Sequence, residues 1–214
     1  MSKPMAAPVM QSPLYPFGLV ARAKAIDASC GVWANEVPLL GYISLRGDTS
    51  NARFAEAASK ALGVTLPTEP CTLAQSSDTT VLWLSPDEWM IVTPRNAHSA
   101  VLNALNQSLA GIRSQVAGNS GGYTQVIVQG PNARDVLSHC TVYDLDRLSQ
   151  GRVVGTTFGK SSLYLRRAGD GYCLLLRRSF ADYIWRYLER AAEPYGFGVA
   201  KLAPGLGPGL GVGS

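Results

Sequence analysis

The side chains best suited to chemistry are few and scattered. Both histidines, His98 and His139, fall in helix-like stretches with no plausible triad around them for proton transfer. His139 precedes Cys140, a dyad that could begin a metal site, but a site needs a second pair of ligands, and the spacing offers none. The four cysteines, Cys30, Cys71, Cys140 and Cys173, form no CxxC pair and no dense framework, which reads as buried thiols in a reducing compartment. The run Gly118-Asn119-Ser120-Gly121-Gly122 could cradle a phosphate, yet it precedes a strand instead of joining a strand to a helix N-terminus. Neither GxGxxG nor a Walker lysine is present, and the run reads as a turn. The residues therefore nominate no catalytic, cofactor-binding or metal position.

Recognition chemistry is better supplied. Arg177 and Arg178 stand just before a helix and Arg166 and Arg167 one strand earlier, so four guanidinium groups are expected along one edge of the second half. They read either as a solvated face or as bidentate partners for carboxylates of a neighbouring subunit. Trp83, Trp89 and Tyr187 read as core. Tyr183 and Trp185 lie off the apolar stripe through Phe180, Ile184 and Leu188, which leaves at least one of them as an interface anchor.

The elements that must position these residues follow from an internal repeat with a register of 83 residues. Tyr42-Ile43-Ser44-Leu45-Arg46-Gly47 alternates as a strand and leads into a helix over 52–62; Gln125-Val126-Ile127-Val128-Gln129-Gly130 does the same before Pro131 and a helix over 133–137. The same offset carries Thr80–Leu84 onto Leu163–Arg167 and Trp89–Val92 onto Tyr172–Leu175, two hairpins with turns at 85–88 and 168–171. It then carries Asn96 onto Ser179, both N-cap residues, with Ser179 and Asp182 spaced as a capping box. Each copy reads β-α-β-β-α, and the predicted fold is α+β: two related halves with antiparallel sheets covered by helices.

The chain of 214 residues divides accordingly into a Pro-rich N-terminal tail (1–16), a first half (17–112), a second half (113–200) and a Gly-rich C-terminal tail (201–214). Charged residues make up only 16% against 46% hydrophobic, which leaves room for partner-covered surface. The net charge of +4 comes from residues spread along the chain, not from a basic stripe, so no nucleic-acid partner is expected. Prolines 4, 8, 13 and 16 interrupt any signal-peptide core and no run approaches membrane-spanning length, so no membrane is expected and cytoplasm is the default.

Two stretches carry a family resemblance. Leu82-Trp83-Leu84-Ser85-Pro86-Asp87-Glu88-Trp89-Met90 is similar to a W-L-x-P-D-E-W motif, and Arg177-Arg178-Ser179-Phe180-Ala181-Asp182-Tyr183-Ile184-Trp185-Arg186-Tyr187-Leu188 to R-R-S-F-A-D-Y-x-W-x-x-L. Both belong to the gamma subunits of heterotetrameric sarcosine oxidase, which the chain resembles over roughly residues 12–196. Gly130–Leu137 is similar to a looser G-P-x-A-R-D-V-L segment shared with folate-binding aminomethyltransferases such as the glycine cleavage T-protein.

The resemblance implies the T-protein-like folate-binding fold and a non-catalytic subunit that partners alpha, beta and delta subunits. The complex would demethylate sarcosine to glycine, with tetrahydrofolate taking the one-carbon unit and O2 giving H2O2; FAD, FMN and NAD would sit on the larger subunits. The alternative is a self-sufficient folate-dependent aminomethyltransferase or folate-binding regulator. Against it, the family's folate-proximal G-G-x-x-D-D segment corresponds here to Ala74-Gln75-Ser76-Ser77-Asp78-Thr79, where only Asp78 could stand in and no role is carried onto it.

Overall fold

The computed structural model describes residues 10–76 and 78–202. In each half a strand precedes the predicted pattern and another is added before the hairpin. The first half comprises β1 (Val32–Val37), β2 (Gly41–Gly47), α2 (Ala52–Leu62), β3 (Leu73–Gln75), β4 (Thr80–Ser85), β5 (Glu88–Thr93) and α3 (His98–Ser108). The second repeats it as β6 (Ser114–Gly118), β7 (Tyr123–Gln129), α4 (Ala133–Cys140), β8 (Val153–Phe158), β9 (Ser161–Ala168), β10 (Gly171–Arg177) and α5 (Ala181–Ala192). A short α1 (Leu19–Arg22) precedes the first half and β11 (Phe197–Val199) follows the second.

The strands form a five-stranded sheet, β3-β4-β5-β2-β6, and a six-stranded sheet, β11-β1-β7-β10-β9-β8. Among the described residues every strand pair is antiparallel except β1 with β11. Each sheet thus takes its first-strand partner from the other half: β1 pairs with β7 and β6 with β2. The boundary between 112 and 113 falls between α3 and β6, but this reciprocal exchange makes the halves inseparable.

Alternation along the strands sorts the core into layers. Ile43, Leu45, Trp89 and Ile91 face outward onto Phe54, Ala58 and Leu62 of α2 and Leu105 of α3. Val126, Val128, Leu174 and Leu176 face outward onto α4 and α5. Tyr42, Met90, Val92, Ile127, Cys173 and Leu175 face inward and join the two sheets. The order is helices, sheet, sheet, helices.

The single 83-residue offset holds for β2 with β7 and for β5 with β10 but not for β4 with β9. Val81 pairs with Ile91 and Leu165 with Leu174, so the equivalent of Val81 is Leu165, not Tyr164. A register shift between Trp83 and Ser85 accommodates the difference of one residue, which otherwise would turn every side chain of the strand to the wrong face.

The helix ends bring two corrections. Asn51 caps α2, its side chain accepting from the Arg53 amide at 3.1 Å, and Gly63 closes it in the left-handed region. By contrast, α5 is preceded by a 3-10 turn over Arg178–Phe180, and among the described residues neither Ser179 nor Asn96 makes a side-chain cap. Asp182 instead pairs with Arg186 at 2.9 Å. Because α5 starts at Ala181, its buried stripe is Ala181, Ile184, Trp185, Leu188 and Ala192, rotated from the predicted one, and Phe180 is 41% exposed.

The tails are also shorter than predicted. Leu14 is fully buried, and Tyr15–Phe17 form a 3-10 turn. At the other end, Lys201 donates its amide to the Lys24 carbonyl and Leu202 packs on the inter-sheet core. Residues 1–9 and 203–214, the rest of both tails, lie outside the described residues. Within the described residues no helix is long and apolar enough to cross a membrane.

Candidate functional site

The four arginines expected on one edge are divided between both ends and both faces of the second hairpin. Arg166 pairs with Cys173 and Arg167 with Tyr172, near the turn, whereas Arg177 lies four residues past Cys173, roughly 13 Å along the strand. Arg166 points between the sheets and is only 3% exposed, its Nη1 donating to the Arg167 carbonyl at 3.5 Å. It belongs to a buried polar layer in which the Cys173 thiol donates to Gln125 Oε1 at 3.4 Å. Burial pushes the Cys173 thiol and the Tyr42 hydroxyl up, and the nearby Arg166 charge opposes both shifts. Arg167 lies over the Tyr172 ring at 4.8 Å. Arg178 donates to the Gln11 carbonyl at 2.9 Å, holding the N-terminal segment.

Trp185 is corrected as well: it is fully buried, between Phe17 at 6.0 Å and Phe197 at 5.5 Å, and cannot reach a partner. Tyr183 is half-buried, stacked on Tyr187, and accepts the Lys160 amide at 2.9 Å.

Arg177 opens onto a concavity. It is exposed, its guanidinium 5.8 Å from the centre of the Tyr123 ring, at one end of a groove of about 560 Å³. The floor is the inward face of the six-stranded sheet where the other sheet does not cover it: Tyr123 on β7, Leu175 and Arg177 on β10, Ser162 and Tyr164 on β9, and Gly155 and Thr157 on β8. Val142 and Tyr143, after α4, form a wall. Burial pushes the Tyr164 hydroxyl up, and the Glu88 carboxylate, facing it from β5, adds to the shift. Sequence reading missed this groove because Tyr123, Tyr164 and Arg177 converge only through the pairing of three strands.

It also missed Glu36. This carboxylate is 4% exposed and accepts from Ser12 Oγ at 2.5 Å and Thr124 Oγ1 at 2.6 Å. Burial raises its pKa despite those bonds and the nearby Arg178 charge. A carboxylate inside the otherwise uncharged Val32–Val37 run was the available signal.

The positions weighed for cofactors or metals do not converge. His139 is exposed on α4 while Cys140 is buried, its thiol pushed up to about 12 by desolvation. No group of His, Cys, Asp and Glu among the described residues could hold a metal ion. His98 packs against Gly41 and Gly118 at the start of α3. The Gly118–Gly122 loop crosses from one sheet to the other, and the Asn119 amide is spent on the Tyr42 carbonyl at 2.7 Å. It leads into β7, not a helix, and does not fit a dinucleotide phosphate. Asp78 is exposed on the β3–β4 turn, flanked by neither glycine pair nor second aspartate, and does not fit a folate cradle.

A duplicated pair of sheets with exchanged first strands and helices on both outer faces defines a class. The aminomethyltransferase T of the glycine cleavage system from Bartonella henselae shares this fold, at TM-score 0.63 and 17% identity over 83% of this chain and 56% of that one. Within the class, residues 46–193 match the model of the sarcosine oxidase, gamma subunit family, and the chain belongs to that family. The sarcosine oxidase subunit gamma of Arthrobacter sp. is 30% identical over 75% of this chain and 80% of its own length, and that of Corynebacterium sp. strain U-96 is 29% identical over 90% and 94%. A chain of the heterotetrameric sarcosine oxidase from Corynebacterium sp. U-96 superposes at TM-score 0.79 with 26% identity, covering 91% of this chain and 99% of that one. The aminomethyltransferase of Herpetosiphon aurantiacus is 31% identical, but the chain spans only 36% of its length.

Proposed function

We propose that this chain is the non-catalytic gamma subunit of a heterotetrameric sarcosine oxidase, partnered by alpha, beta and delta subunits. The match over nearly the whole length of both chains to a component of such a heterotetramer carries this reading. The complex oxidises the N-methyl group of sarcosine: sarcosine, O2 and tetrahydrofolate enter, glycine and H2O2 leave, and the folate carries away the one-carbon unit with no net uptake of water. FAD, FMN, NAD and the folate belong to the larger subunits, since neither the 118–122 loop nor the turn at Asp78 fits such a group. The gamma subunit's own part is structural, a rigid double sheet that presents surfaces to its neighbours, and the assembly works in the cytoplasm. A self-sufficient aminomethyltransferase is disfavoured by the exposed turn position of Asp78, with no second aspartate beside it in the sequence, and by the short span of those relatives. Sarcosine-dependent O2 uptake by the complex purified with and without this chain, and by the chain alone, tests the reading. The expected result is turnover only in the complex; turnover by the isolated chain would overturn it.

A further inference from the structure

We infer that the groove floored by Tyr123, Tyr164 and Arg177 is a docking site for a carboxylate-bearing segment of a neighbouring subunit; the inference rests on the reading of the chain as an assembly subunit. Arg177 is exposed and, among the described residues, forms no ion pair. Its guanidinium is held by the Tyr123 ring and so presented to a bidentate acceptor at little further entropic cost. Ser162, Thr157 and Tyr143 line the same groove and supply hydroxyls able to donate to a bound carboxylate. The Glu88 carboxylate and the Arg177 guanidinium both act on Tyr164, but the two form no ion pair with each other among the described residues.

The edge of the sheet gives a second argument. β8 is an edge strand whose outward backbone groups are tied down at both ends, the Val153 amide to the Cys71 carbonyl and the Gly159 amide to the Cys140 carbonyl, each at 2.9 Å. Between them Gly155 and Thr157 turn the same edge outward and are exposed, and among the described residues their amides make no hydrogen bond beyond the β8–β9 ladder, while the Thr157 carbonyl accepts from Thr156 Oγ1 at 3.5 Å. Such an edge segment is a template for an added strand. Beside it Val142, 87% exposed, offers apolar area to a covering chain.

The repeat gives a third. The first-half equivalents of Tyr123 and Tyr164 are Leu40 and Thr80, both buried, so only the second half keeps this face open. The occupant is an extended loop or terminus carrying an Asp, a Glu or the C-terminal carboxylate, with an apolar neighbour to cover Val142.

The assembled complex provides the test, with Arg177→Glu, Arg177→Lys and Arg53→Glu, the last on the opposite helix layer. Arg177→Glu should weaken incorporation by at least tenfold in native mass spectrometry, Arg177→Lys by less, and Arg53→Glu not at all. Unchanged circular dichroism of each variant would show that folding is not at issue. The Gly155 and Thr157 amides should exchange more slowly in the complex than in the free chain. Incorporation of Arg177→Glu at wild-type affinity, or equal exchange in both states, would overturn the inference while leaving the assembly role intact. Failure of the wild-type chain to incorporate would instead defeat the assembly role. Benzoate bound by the free chain, with both amides still open in the complex, would assign the groove to small carboxylates and likewise overturn it.

Discussion

Replacing Trp185 by alanine separates a core residue from an interface anchor. The side chain is fully buried, with Phe17 and Phe197 at 6.0 and 5.5 Å, and it lies on the buried stripe of α5 between Ile184 and Leu188. A buried tryptophan truncated to alanine loses about 3–5 kcal/mol, and the aromatic contacts place Trp185 toward the upper part of that range. At the 2–4 °C per kcal/mol typical of chains this size, the melting temperature of the isolated chain should fall by roughly 8–16 °C. Trp185→Phe should cost only about 1–2 kcal/mol, because it keeps much of the ring and removes an indole N–H that finds no acceptor among the described residues. Thermal unfolding followed by circular dichroism reads both variants. An alanine variant that melts with the wild type but fails to enter the complex would refute the packing argument and restore the interface reading.

Other substitutions probe separate features. Ser179→Ala should change stability by less than about 0.5 kcal/mol in urea unfolding, since Ser179 lies in a 3-10 turn and caps nothing; a loss near 1 kcal/mol would revive the cap. Gly130 has φ +107 and a Cβ there would lie 2.6 Å from the Gly31 carbonyl oxygen, so Gly130→Ala should destabilise by about 2 kcal/mol or more on the same assay; a neutral result would contradict this close approach of β7 to β1. Glu36 has its pKa raised above the usual 4.5 by burial, so the folded state keeps a proton that the unfolded chain has already lost. Its contribution to stability is full below that value, declines as pH rises through the folded pKa and then levels off. Glu36→Gln should flatten this part of the stability curve above pH 4.5, and an unchanged slope would count against the burial.

The hairpins and the repeat were legible because strand alternation and the Pro86-Asp87 and Gly169-Asp170 turns are local signals. The first strand of each half was not, because β1 and β6 find their partners in the other half and only tertiary pairing marks them. The stripe of α5 was misread by one residue because Phe180 looks like its first apolar position, when the 3-10 turn delays the helix to Ala181. That error alone moved Trp185 from core to surface. The arginine edge failed for a related reason: chain proximity of Arg166–Arg167 to Arg177–Arg178 ignores that antiparallel strands carry them to opposite ends. The absence of a paired-aspartate segment at 74–79 was plain in the sequence, and the structure adds that Asp78 is exposed on a turn.

The central claim, that this chain is one of four different subunits and works only among them, is tested most directly by native mass spectrometry of the complex captured through it, with sarcosine oxidation measured on the same sample. The account predicts one copy of this chain with three distinct larger or smaller partners, and activity that stays with the assembly. A monomer, or an assembly of this chain with itself that turns over substrate, would contradict it.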